Sequence, residues 1–159
     1  MSKTATKFFA ILWASLLAGT LDILSALALN YKIAPVKIFQ FIASGVFGKA
    51  AFQGGIPMAL WGALFHYLIA SVCTVVLFLI YPKIILFAKD KIALGIAYGF
   101  IIWVIMNLMI LPHTNIPGKV GHLTITTILT GTAALVVCIG IPVSLMADRY
   151  YKKHPANIY

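Results

Sequence analysis

Acidic residues are scarce: Asp22, Asp90 and Asp148 are the only three in 159 residues. Asp90 and Asp148 stand at the edges of apolar runs, so a paired-carboxylate general acid–base centre is hard to assemble. Other signatures of common chemistry are missing too, with no GxSxG elbow and no HExxH pair. The two cysteines, Cys73 and Cys138, each lie inside an apolar run. They make no CxxC, zinc-ligand or CxxCH spacing and read as small packing residues. Charged residues total 9%, where a soluble domain carries about 25%. Too few charges remain to clothe a water-soluble fold.

What the chain has instead is apolar length. Hydrophobic residues make up 62% of it, and the mean hydropathy is +1.03. Four runs, 8–29, 57–80, 92–111 and 122–147, reach the roughly 20 residues that a helix needs to cross a bilayer. Pro57 suits a helix start, Pro112 stops the third run, and Pro142 is expected to kink the fourth. The runs are continuous, not alternating, so a membrane β-barrel does not fit. The expectation is an all-α integral membrane four-helix bundle, one domain over 1–159. Lys3, Lys7 and Ala26-Leu27-Ala28 imitate a signal peptide, but the first run is too long for a typical signal core and is expected to stay as a span.

The segment 31–56 is too long for a tight turn and too apolar for a solvated loop. A short helix is expected from Pro35 to Ser44, followed by Gly45, Gly48, Gly54 and Gly55 as helix breakers. It either lies in the membrane interface or re-enters the bilayer under protein cover. Lys37 and Lys49 favour the interface, where their charges meet headgroups.

Net charge is +9. No basic stripe on a soluble module exists to dock nucleic acid. The lysines occupy short segments between runs, as the positive-inside rule and contact with anionic lipid headgroups require. One side (Lys3, Lys7, Lys83, Lys89, Lys91, Arg149, Lys152, Lys153) carries 8 basic residues and the other (Lys32, Lys37, Lys49, Lys119) carries 4. Both termini are therefore expected in the cytoplasm. Tyr81, Tyr150 and Tyr151 are expected at the inner interface, and Tyr31 and Trp61 near the outer one.

Polar residues inside the runs are the best functional lead, because such groups normally face one another or a cavity. They are Asp22, His66 and Asn107, with His122 at the mouth of the fourth run. In the first run Ser15, Ala18, Gly19, Asp22, Ser25 and Ala26 share a helical face. In the second, Ala59, Gly62, Ala63, His66, Ala70, Cys73 and Thr74 do so. Stripes of small residues let membrane helices approach closely; Gly19, Gly62 and the Gly95-Ile-Ala-Tyr-Gly99 pair are the expected packing glycines. On a rise of 1.5 Å per residue, Asp22 lies about 10 Å, His66 about 13 Å and Asn107 about 6 Å below the outer ends of their runs. Asp22 and His66 can therefore pair if their helices are neighbours. His122 is about 13 Å shallower than His66. That mismatch opposes a shared haem iron or a two-histidine, one-carboxylate metal site, so no cofactor or metal is expected. His113, in the turn after Pro112, and His154, in the tail, read as solvated. Three histidines on the outer side could sense external pH.

Gly19-Thr-Leu-Asp22, Ala43-Ser-Gly-Val-Phe-Gly48, Phe65-His66, Tyr81-Pro-Lys83 and the stretch from Gly95 to Pro112 resemble a widespread group of small, uncharacterised bacterial inner-membrane proteins. More distantly, Tyr81-Pro-Lys83, the glycine-bearing third run and Gly121-His122 are similar to the YagU family. The nearer resemblance covers about the first 112 residues. It implies a four-helix bacterial membrane protein and transfers no catalytic or ligand residue. Two functions are open: a non-enzymatic accessory or structural component, in a homo-oligomer or larger membrane complex, or a small transporter or proton-linked channel using Asp22 and His66. A water-accessible cavity at that pair would favour transport, and a dry helix seam would favour the structural role.

Overall fold

The computed structural model describes residues 3–117 and 124–154. Helix α1 spans Lys3–Leu29, α2 Pro35–Phe47, α3 Gly55–Ala88, α4 Lys91–Val104, α5 Ile125–Leu135 and α6 Ile141–Lys153. A π-helical segment, Ile105–Ile110, and a 3-10 turn, Leu111–His113, prolong α4. A second π segment, Val136–Gly140, joins α5 to α6. Four rods are long and apolar enough to cross a membrane: Thr6–Leu29, Gly55–Ala88, Lys91–His113 and Ile125–Lys153. The protein is thus an all-α, multi-pass membrane bundle, with no strand among the described residues.

The packing is inverted relative to a soluble domain, as lipid-facing helices require. Ala14, Ser15, Ala18 and Gly19 of α1 are buried, while Leu12, Trp13, Leu16 and Leu17 are exposed. In α3 the buried set includes Ala59, Gly62, His66, Ala70 and Thr74. Small residues bring the backbones together where burial of large ones would give no hydrophobic gain. A side chain added at Gly95 would meet the backbone of Ile141 at 2.8 Å, and one at Gly99 would meet Val136 at 2.6 Å. Gly140 faces back onto the Gly95 carbonyl, so α4 and the fourth rod touch backbone to backbone. The second π segment lies immediately before Pro142, whose missing N–H cannot answer the carbonyl four residues earlier.

Helix α2 folds back on α3. The Phe39 carbonyl occupies the space that a Cβ on Gly62 would need. Gln40 is 1% exposed, and its amide donates to the Gly55 carbonyl at 2.9 Å. Lys37 Nζ donates to Phe52 O at 3.2 Å. On its other side, the Asn115 backbone N–H reaches Gly45 O and its side-chain amide reaches Val46 O, both at 2.9 Å. The segment between the first two spans is therefore covered by protein on two flanks. The expected helix runs three residues beyond Ser44. Gly45 does not break it, because its carbonyl is held by Asn115; the break comes at Gly48, with φ +59°.

Helix α3 also departs from expectation. Its apolar pattern ends at Ile80, yet the helix continues through Pro82 to Ala88. Proline removes the N–H that would answer the carbonyl four residues earlier, here Phe78. The Tyr151 hydroxyl donates to that carbonyl at 2.6 Å, so the helix continues at no cost in unpaired backbone. Tyr81, Tyr150 and Tyr151, expected at the inner interface, turn into the protein. They are 2%, 5% and 3% exposed, and they form the core with Phe78, Leu77, Tyr98 and Val143.

Tyr151→Phe should lower stability by about 1–3 kcal/mol, the cost of an orphaned buried carbonyl. In a Pro82→Ala background, where residue 82 regains its N–H, the same change should cost measurably less. A double-mutant cycle of thermal unfolding in detergent checks this, and additive losses would exclude the assigned partnership.

Candidate functional site: the α1–α3 seam and the Asp148 clasp

Two polar clusters join the rods. The first lies where α1 crosses α3. Gly19 lets the helices close, with Tyr67 and Ala70 against the place of its missing side chain. His66, 9% exposed, reaches the Gly19 carbonyl through Nε2 at 2.7 Å. A carbonyl only accepts, so Nε2 carries the proton and the ring is fixed in that tautomer. Thr20 Oγ1 and the Tyr67 hydroxyl meet alongside at 3.0 Å.

Asp22 lies one turn beyond Gly19 on the same face. It is half-buried and within electrostatic reach of His66, Cys73 and Cys138. Among the described residues no hydrogen bond joins its carboxylate to His66. Asp22 and His66 are thus neighbours, as their depths suggested, but His66 spends its known donor on backbone.

The other sequence candidates lie apart. Asn107 donates to the Trp103 carbonyl on its own helix at 3.0 Å, inside the π-helical stretch. No hydrogen bond or ion pair links it to Asp22 or His66 among the described residues. His113 Nδ1 likewise answers Met109 O on its own helix at 2.7 Å. His122 lies outside the described residues. No group of three or more His, Cys, Asp or Glu is arranged to hold a metal ion among the described residues.

The second cluster was not anticipated from sequence. Asp148 on α6 is 8% exposed and serves three partners. Tyr81 OH of α3 donates to its Oδ1 at 3.1 Å. Lys91 Nζ at the start of α4 and Lys152 Nζ of α6 reach its Oδ2 at 3.3 and 2.9 Å. Ser144 on α6 also donates to Lys91 O at 2.7 Å. The Tyr81 and Tyr151 rings stack at 5.8 Å between centroids, 6° from parallel. Lys7 of α1 stands 5.6 Å over the Tyr151 ring. One carboxylate thereby ties α3, α4 and α6 together, with α1 attached through a cation–π contact. The signal was present: Asp148 and Lys152 are four residues apart, and Tyr81 precedes a proline within an otherwise helical run. Nothing in the sequence, however, specifies that a residue of the tail meets one 67 positions earlier.

Asp148→Ala should destabilise the bundle by about 1–3 kcal/mol, because it strands the Tyr81 hydroxyl in the core. Lys152→Ala should cost less than about 1 kcal/mol, its side chain being 70% exposed and its ion pair screened. Thermal unfolding of the two variants in detergent checks the order; equal losses would refute this ranking. Among known proteins, no family model, no curated sequence and no solved structure matches this chain.

Proposed function

We propose that the protein is a structural or accessory component of a bacterial inner membrane, without enzymatic activity, and that both termini lie in the cytoplasm. The observation that carries this reading is the hydrogen bond from His66 to the Gly19 carbonyl, set in a seam of small residues. Proton relays need side chains that can exchange partners, whereas this imidazole is committed to a backbone acceptor in a close crossing of two helices. Asp148 is likewise consumed in joining helices. The excess of lysine and arginine on the side of the termini supports the orientation. The likeness to small bacterial inner-membrane proteins, and more distantly to the YagU family, belongs to the same proposal. So does assembly into a homo-oligomer or a larger membrane complex.

A second reading, a proton-linked transporter, is favoured by one observation. The Asp22 carboxylate is half-buried, lies among His66, Cys73 and Cys138, and has no hydrogen bond to His66 among the described residues. A carboxylate in that position is a natural proton carrier. Against it, the large cleft of the bundle is lined by neither Asp22 nor His66.

Proteoliposomes separate the two. The structural role predicts that flux of protons driven by a pH gradient stays at the level of protein-free vesicles, in the native protein and in Asp22→Asn alike. It also predicts that His66→Ala lowers thermal stability by about 1–3 kcal/mol, by leaving buried polar groups unmatched. Flux in the native protein that Asp22→Asn abolishes would establish transport instead. For orientation, reporter fusions at residues 1 and 159 should both report a cytoplasmic location.

A further inference from the structure

Helices α3 and α4 are adjacent in sequence but do not close along their length. Near Tyr98 they are tied, since its hydroxyl donates to Cys73 O at 2.6 Å. Around that tie a cleft of about 950 Å³ opens, its walls running from Leu68 to Ala88 on α3 and from Ala93 to Ile110 on the α4 rod. The lining is aliphatic apart from Phe87, Tyr98 and the sulfur-bearing Cys73 and Met106. In a bilayer this space is filled by something apolar.

Its dimensions narrow the choice. Twenty residues of α3 at 1.5 Å rise give a length of about 30 Å, the depth of the hydrocarbon core. A groove of that length with an aliphatic lining matches lipid acyl chains. The glycines of α4 that would receive another helix, Gly95 and Gly99, are already used against Gly140 and Val136.

Charge at one end narrows it further. The cleft ends at the loop joining α3 to α4, beside Lys83, Lys89 and Lys91. Lys83 shares the helical stripe of two lining residues, lying seven after Val76 and four before Phe87. Lys89 closes α3 in the left-handed conformation, φ +57°. Both are exposed, and neither ammonium has a side-chain partner among the described residues. The two acids nearby are committed: Asp90 caps α4 by accepting from Ala93 N–H at 2.7 Å, and Asp148 holds Lys91 and Lys152. An apolar slot thus opens beside two exposed cations.

We propose that the α3–α4 cleft is a binding site for an anionic phospholipid, with an acyl chain in the slot and the phosphate held by Lys83 and Lys89. The site rests on membrane residence and not on the structural role, so a positive result in the flux assay would leave it standing. Charge near a membrane surface favours anionic lipid by an amount corresponding to about fivefold for each lysine, and so roughly 25-fold for the pair.

The test is lipid titration of the purified full-length protein in detergent, read by native mass spectrometry, with dioleoyl phosphatidylglycerol against dioleoyl phosphatidylcholine. The native protein should retain the anionic lipid roughly 25-fold more tightly. The double variant Lys83→Gln/Lys89→Gln should lose that preference while its lipid-free melting temperature stays unchanged, since both side chains are exposed. Ala97→Phe, at an exposed position within the cleft, should weaken binding of both lipids by blocking the slot. Equal retention of the two lipids by the native protein would overturn the proposal. Preference surviving loss of both lysines would do so as well. So would an Ala97→Phe variant that binds like the native protein, or one whose only change is the dissociation of a dimer.

Discussion

A carbonyl inside a lipid-facing helix that lacks its own N–H partner has no water to turn to, and the chain must provide a donor from elsewhere. One long-range contact answers that demand directly, and others use the second lone pair of a helix carbonyl to satisfy a buried side-chain donor. Tyr151 serves the carbonyl that Pro82 leaves open at Phe78. Tyr98 reaches Cys73 O, His66 reaches Gly19 O and Ser144 reaches Lys91 O, each on another helix. These bonds are few, but in a fold whose helix seams close on small residues such as Ala14, Ala18, Gly95 and Gly140 they help determine which helices sit together. Their value is register more than energy: a hydroxyl matched to one carbonyl fixes both the rotation and the height of a helix.

The same economy explains why α1 to α6 can pack with so little large apolar surface inside. Leucine gains nothing by moving from lipid to a protein core, so large side chains stay outside and small ones line the seams. Gly62 admits the Phe39 backbone, and Gly140 admits that of Gly95. The exception is the end of the bundle where Phe78, Tyr81, Tyr150 and Tyr151 cluster. Aromatic mass is used there because Asp148 and the orphaned Phe78 carbonyl must be enclosed and given donors, and tyrosine brings both a ring and a hydroxyl.

Much of the fold was legible in the sequence. Run length and continuity gave the four spans, and the spacing of Gly19, Asp22 and His66 marked small-residue faces on which α1 and α3 could meet. What failed to show were contacts between residues distant in the chain. The second span was ended at Ile80, where the apolar run stops, and what carries the helix on through Pro82 lay at Tyr151. Tyr81, Tyr150 and Tyr151 were read for depth alone; that their rings turn into the bundle, and that the Tyr151 hydroxyl serves a carbonyl, depends on partners far away in the chain. Asn107 looked like a partner for the buried pair because depth alone was available; the π-helical turn that occupies its amide has no sequence signature. Gly45 was read as a breaker without knowledge of Asn115, which supports the helix there.

The bond between Tyr151 and Phe78 also has a temporal side. The two residues are 73 positions apart, and synthesis at about 5–20 residues per second separates their emergence by roughly 4–15 s. For that interval α3 exists without the hydroxyl that completes it. A half-made chain would have to keep the stretch around Pro82 near water, headgroups or the insertion machinery, and only the arrival of the tail would let it settle. A helix made later would thus license the shape of one made long before it, and removal of α6 would be felt in α3.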